Sequence, residues 1–256
     1  MKHPALIALG CALVTGCAGE PPHPDNLPAN EPEASAPPPP AVADPTPPAL
    51  VDLAPGLRAD VRAGVVEFDG LVAVNAHDPR TPDVYLELLV CAPDTREHES
   101  LIVTNVPPSA IHAALLAAGF TPGEPGRVTQ LADGSIDRRP PTGDPVRVEF
   151  LVQSAAGAWR THDPASWVMR LGTHERPSWG PLIFAGSRFV VRAGRERYDA
   201  DGTGVIVGLT TFGSEVIAPT LTLSPDSWVD EPAWVADPDA LPARATPVRV
   251  RVSRPR

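Results

Sequence analysis

Val146-Arg147-Val148-Glu149-Phe150-Leu151-Val152 is the stretch that most constrains the fold. Val146, Val148, Phe150 and Val152 fall on one side of a period of two, with Arg147, Glu149 and Leu151 on the other. Successive strand side chains point to opposite faces, so this alternation predicts a half-buried strand. Residues 158–163 follow as the partner strand of a hairpin. Near the far end, Val248, Val250 and Val252 alternate with Arg249, Arg251 and Ser253. There the charged row predicts an edge strand, since charge on an edge blunts sheet-to-sheet association.

Working outward, further short apolar runs read as strands: 65–68, 72–75, 84–91, 101–105, 189–191, 205–209 and 216–223, with Phe184 in another. Residues 166–170 form an apolar element of either type. One helix stands out over about 107–118. Pro107-Pro108 suits its first turn, and Ile111, Leu115 and Ala118 recur at helical spacing. Gly119 supplies a C-cap, and Pro122 forbids continuation. Residues 121–145, rich in Gly, Pro and Asp, read as a long loop. The fold class expected is therefore α+β: a strand-rich single domain with one helix.

The organisation expected around that domain has four parts. Residues 1–16 resemble a secretory leader, with Lys2 and His3 before an apolar run from Ala5 to Val14 that is too short to be a stable membrane span. Val14-Thr15-Gly16-Cys17 resembles a bacterial lipobox, which implies cleavage after Gly16 and a lipid on the Cys17 sulfur. Residues 17–49 are the lipidated cysteine and a linker. Residues 18–49 hold twelve prolines, five acidic residues and no Lys or Arg. Such a segment buries too little apolar surface to offset its ordering entropy, so a disordered, extended tether is expected. The globular domain is assigned to 50–224, and 225–256 to a C-terminal extension with Trp228 and Trp234. Several acyl chains hold a protein firmly at ~0.8 kcal/mol per buried methylene. The expected location is thus the cell envelope, lipid-anchored and extracytoplasmic. Ala18, standing where Asp would signal inner-membrane retention, favours the outer membrane.

The chain has 21 Lys+Arg against 31 Asp+Glu, a formal net charge of −10. Nucleic-acid binding needs a basic footprint, so nucleic acid is excluded as a partner. The partners expected are the membrane, through Cys17, and an envelope protein or other envelope component. With Cys11 in the leader and Cys17 lipidated, Cys91 is left alone and no intramolecular disulfide is expected. Its place at the end of an apolar run predicts burial.

Cys91 and Pro93, then Glu97-His98-Glu99-Ser100-Leu101, then 108–116 with Gly119-Phe120 and Gly123, carry a family resemblance. Residues 179–189 with Phe184-Ala185-Gly186-Ser187, and Tyr198-Asp199-Ala200-Asp201 with Gly204, carry it further. Over roughly residues 60–220 the chain resembles the YdjY-like domain of bacterial secreted proteins and lipoproteins, including many from planctomycetes. The resemblance implies an envelope setting and no activity. One relative has been called ferredoxin-like from clustered cysteines, but a domain with Cys91 alone cannot supply a four-thiolate cluster.

Glu97, His98, Glu99 and His112 form the densest constellation. It is expected in or beside a hairpin connection, with His112 on the first turn of the next helix and able to fold back. Two imidazoles and a carboxylate suit zinc or another borderline metal, although His98 and His112 lack a recognised ligand spacing. Structural hydrogen bonding and a ligand pocket are the other two readings. Other chemistry is poorly supported. Cys91 lacks features that would lower its pKa, and Ser100 has no G-x-S-x-G elbow. Asp199 to Gly204 has Thr210 where a calcium loop needs its glutamate, so a β-turn is expected there. Trp159, Trp167 and Trp179 are expected as core anchors. No catalytic residue or cofactor is assigned. A non-catalytic binding or structural role leads, with a metal- or ligand-binding accessory role as the alternative.

Overall fold

The Val146 stretch lies in a strand that runs Pro145–Gln153 and is paired on both sides. The computed structural model describes residues 48–80 and 83–255. The leader, Cys17 and nearly all of the proline-rich tether lie outside the described residues. Eight strands matter most: β1 (Val65–Val72), β2 (Leu88–Cys91), β3 (Ser100–Val103), β4 (Pro145–Gln153), β5 (Leu182–Phe184), β6 (Val205–Gly208), β7 (Ile217–Pro219) and β8 (Pro247–Ser253). Their pairing runs β1-β8-β4-β5-β7-β6-β2-β3, and β3 returns to β1 through Leu71↔Val103 and Val72↔Ile102. These eight strands close into a barrel, and three more strands hang from it: Val51–Ala54 and Leu57–Asp60 as a hairpin beside β1, and Trp159–His162 beside β4.

This corrects the α+β assignment. Among the described residues helix is confined to α1 (Pro108–Ala117), α2 (Asp199–Thr203) and two short 3₁₀ turns, so the domain is all-β in character. Several barrel strands are only three or four residues long, too short to show a period in sequence. The expected edge strand is also corrected: β8 pairs with β1 and β4 along its whole length. The described part of this extension, residues 225–255, therefore belongs to the barrel domain. Residues 121–145 are not a plain loop, because Arg127–Gln130 and Ile136–Arg139 form a hairpin within them. The expected hairpin around Glu97 is absent too, since β2 and β3 run parallel. Asp199 to Thr203 is a short helix capped by Gly204 at φ 74°, in place of the expected β-turn.

Register explains the alternation. Phe68, Val250 and Phe150 stand in one inward row, and Val66, Val252 and Val148 in the next. All six are at most 5% exposed. The outward row reads Arg58, Glu67, Arg251, Glu149 across neighbouring strands, an alternation of charge favoured between directly opposed residues. The closure point depends on Gly70. A Cβ there would sit 2.6 Å from Ile102 Cγ2 and 3.0 Å from the Val103 carbonyl oxygen, so only glycine lets β3 reach β1.

α1 matches its predicted span to within a residue at either end. It ends as a Schellman motif: the Phe120 N–H donates to the Leu115 carbonyl and the Gly119 N–H to that of Leu116, with Gly119 at φ 80°. Ile111, Ala114 and Leu115 are buried against the barrel. Cys91 is fully buried, and burial pushes its thiol pKa up. Of the three tryptophans, only Trp167 is a core residue. Trp159 is 43% exposed beneath the Arg249 guanidinium, and Trp179 is partly buried.

Candidate functional site

The residues from β2 to β3 turn through a 3₁₀ turn over Glu97–Glu99, which fans the three side chains apart. The Glu97 carboxylate accepts from the Asp94 and Thr95 N–H groups, at 2.6 and 3.0 Å. Backbone N–H groups, its own first, hold its carboxyl below the usual range. His98 is 70% exposed and reaches only Glu99, at 3.2 Å. Glu97 and His98 face a cavity of about 450 Å³ shared with Asp83 and Arg244. Glu99 faces a different cavity.

There it meets two residues that sequence spacing did not single out, Glu87 and Arg96. Arg96 Nη1 lies 2.8 Å from Glu87 Oε2 and 3.2 Å from Glu99 Oε2, and its guanidinium stacks 4.5 Å from the Phe212 ring centroid. The Glu87 backbone is pinned from both sides. Its N–H donates to the Glu99 carbonyl, while its own carbonyl accepts from Leu209 and Thr210. Burial, and after it the adjacent Glu99 carboxylate, push the Glu87 pKa up to about 7, against the pull of Arg96. The pair lines a cavity of about 490 Å³ with Tyr85, Arg170, Asp230 and Trp234. The strand Trp234–Ala236 forms one wall through pairing with Val168–Arg170, and the Leu86 N–H donates to the Trp234 carbonyl. A carboxylate in the apolar run Tyr85 to Val90 was the available signal for Glu87. Burying such a group is costly unless it is paired.

His112 belongs to another constellation. The Tyr198 hydroxyl donates to the Gly186 carbonyl at 3.0 Å, so its single proton is committed. His112 Nδ1, 2.9 Å from the same oxygen, must then be the donor, which leaves the lone pair on Nε2. The imidazole packs edge-on to Phe184 and Tyr198, and burial lowers its pKa. Beside it the buried Asp199 is held by Arg188 and Arg192, each at 2.9 Å, and Asp201 accepts from the Ser109 N–H at the start of α1. These contacts fasten α1 and α2 to the barrel. His112 thus supports structure here, with neutral imidazole as the working form.

The four expected residues therefore divide: Glu97 and His98 in one cavity, Glu99 with Glu87 in the next, and His112 with Tyr198. Among the described residues no group of three or more His, Cys, Asp or Glu side chains gathers to hold a metal ion. None of their helices is long and apolar enough to cross a membrane.

A closed eight-stranded barrel flanked by acid-bearing clefts defines the class of domain. The YdjY domain model matches residues 57–253, from the hairpin preceding β1 through the whole of β8, and the chain belongs to that family. No curated protein and no solved structure matches it.

Proposed function

We propose that this is a lipid-anchored, extracytoplasmic lipoprotein of the cell envelope whose barrel is a non-catalytic binding module. Its ligand, in this reading, carries a cationic group such as a primary amine, taken up between Glu87 and Glu99. The observation that carries the reading is the carboxylate pair itself: two acids share one guanidinium beside a cavity of about 490 Å³. A cation entering there supplies the positive charge the pair lacks, and Tyr85 offers a ring face on which it can rest, while Trp234 already carries the Arg170 guanidinium 6.0 Å from its ring centroid. The lipobox at Cys17 and the proline-rich tether support the envelope setting, and the tether would let the barrel reach ligands away from the bilayer.

Two measurements test the two halves. Metabolic labelling with a fatty acid should mark the wild-type chain and not Cys17→Ala. Unlabelled wild type removes the anchor. For binding, a short diamine titrated into the purified protein should bind more tightly at pH 8 than at pH 6, because Glu87 ionises across that interval. Glu87→Gln should lose that pH dependence. Affinity that is flat with pH in the wild type would place the cation elsewhere.

A further inference from the structure

A groove of about 650 Å³ lies at the closure point, where β3 meets β1. That volume falls within the roughly 300–1,000 Å³ usual for small-ligand sites. Asp69 and Leu71 of β1 border it, with Trp159 from the strand beside β4, Arg249 of β8, and Glu97 and Asn105 from either side of β3. Trp159 is 43% exposed and Leu71 42%. One such side chain alone on a surface signifies nothing, but here two large apolar groups meet water in the same concavity.

The polar groups of the groove are matched in charge and unspent in hydrogen bonds. Arg58, Arg249 and Arg251 answer Glu67 and Asp69, and Glu97 at the groove brings the sum to zero. The Arg249 guanidinium sits 4.2 Å from the Trp159 ring centroid, with Asp69 Oδ1 at 3.7 Å and Glu67 Oε2 at 3.8 Å. Those distances satisfy its charge but are too long for hydrogen bonds, so its N–H donors remain open. Asp69 accepts from Arg58 with both oxygens, yet 52% of its side chain is exposed, and a carboxylate has about four lone-pair sites. Asn105 is exposed, and its amide has no partner among the described residues. The backbone on either side of it is fixed, because the Thr104 hydroxyl donates to the Asp69 carbonyl and accepts from the Val106 N–H.

This combination selects against most ligands. An anion finds no surplus of positive charge, and a cation finds the indole already carrying a guanidinium. A wholly apolar ligand would strip water from Asp69, Arg249 and Asn105 and replace none of its hydrogen bonds. An uncharged ring with C–H faces and hydroxyl edges meets every term. We infer that this groove binds a neutral saccharide, its C–H surface against Trp159 and Leu71 and its hydroxyls shared among Asp69, Arg249 and Asn105. A hydroxyl both donates and accepts, so one sugar hydroxyl can give its proton to Asp69 and receive one from Arg249. The site is independent of the amine reading for the Glu87–Glu99 cleft.

The test is a calorimetric titration of the full-length protein with glucose, maltose, cellobiose and N,N′-diacetylchitobiose, with glucuronate as the charged comparator. Saturable binding of at least one neutral sugar is expected, unchanged from roughly 50 to 500 mM salt because no net charge is exchanged. It should also be flat between pH 6 and pH 8, unlike cation uptake at Glu87. Trp159→Ala should weaken binding about tenfold, and Trp159→Phe, which keeps a ring, about threefold. Asn105→Ala, which removes an exposed side chain with no partner to lose, should weaken it about threefold. The inference is overturned if no neutral sugar binds saturably, or if glucuronate binds more tightly than every neutral sugar. It is equally overturned if Trp159→Ala and Asn105→Ala both bind as wild type does. A proline-rich peptide that binds through Trp159 where the sugars do not would give the groove to an extended chain instead.

Discussion

Glu67 and Glu87 are both carboxylates embedded in apolar strand runs, and the barrel surrounds them differently. Glu67 on β1 is fully enclosed, with Arg251 at 2.6 Å and Arg249 and Arg58 at 3.8 and 3.9 Å. Glu87, just before β2, has Arg96 alone and must share it with Glu99. Three guanidiniums surround the first charge, although its Oε2 accepts no hydrogen bond, and the second has a share in only one. Burial is deeper at Glu67, so burial by itself does not decide which carboxylate is available to a ligand. The supply of opposite charge does.

The comparison breaks most sharply at Arg251. Arg251→Ala removes the closest partner of a buried carboxylate, and should cost about 3 kcal/mol in a urea titration, since breaking a buried ion pair leaves an uncompensated charge. A loss below about 1 kcal/mol would show that Arg58 and Arg249 suffice. His112→Ala comes next, at about 2 kcal/mol, because it strips a hydrogen bond from the Tyr198 hydroxyl and two ring contacts. Glu87→Gln has an effect whose size depends on pH. Its pKa rises on folding from the ordinary 4.5 to about 7, so the native state binds the extra proton between those values and loses stability as pH rises through them. The glutamine variant escapes that loss. It should match wild type near pH 4 and exceed it by about 1 kcal/mol at pH 8, the figure reduced for solvent in the open cleft. His98→Ala is the smallest effect, within about 0.5 kcal/mol, because that side chain is largely in water.

Much of the local structure was legible. The alternation at Val146 and at Val248 marks two adjacent barrel strands, and the proline start and glycine stop bracket α1. Closure was not legible, because it depends on which distant strands pair, and β5 and β7 are three residues long. The outward charges of β8 suggested an edge. They are instead matched by Glu67 and Asp69 on one neighbour and by Glu149 on the other. The acid-histidine cluster was legible as composition and misleading as geometry. Glu97, His98 and Glu99 are adjacent in sequence, yet a 3₁₀ turn points them into separate surroundings, and His112 on α1 turns to Tyr198 instead. Glu99 found its true neighbour, Glu87, across the parallel β2 and β3, a pairing that spacing alone does not reveal.

Closure through β8 also sets a timetable. Glu67 and Arg251 touch although 184 residues separate them, so β1 cannot gain this neighbour until nearly all of the domain has been made. Chains dominated by such non-local pairing fold slowly, because loop-closure entropy is lost before any contact compensates for it. During that delay the valine-rich flanks of β1 and β4 stand open beside an empty slot, competent to pair with any other extended chain. A chain stalled or clipped ahead of Pro247 is therefore expected to be an aggregation seed rather than a smaller working domain.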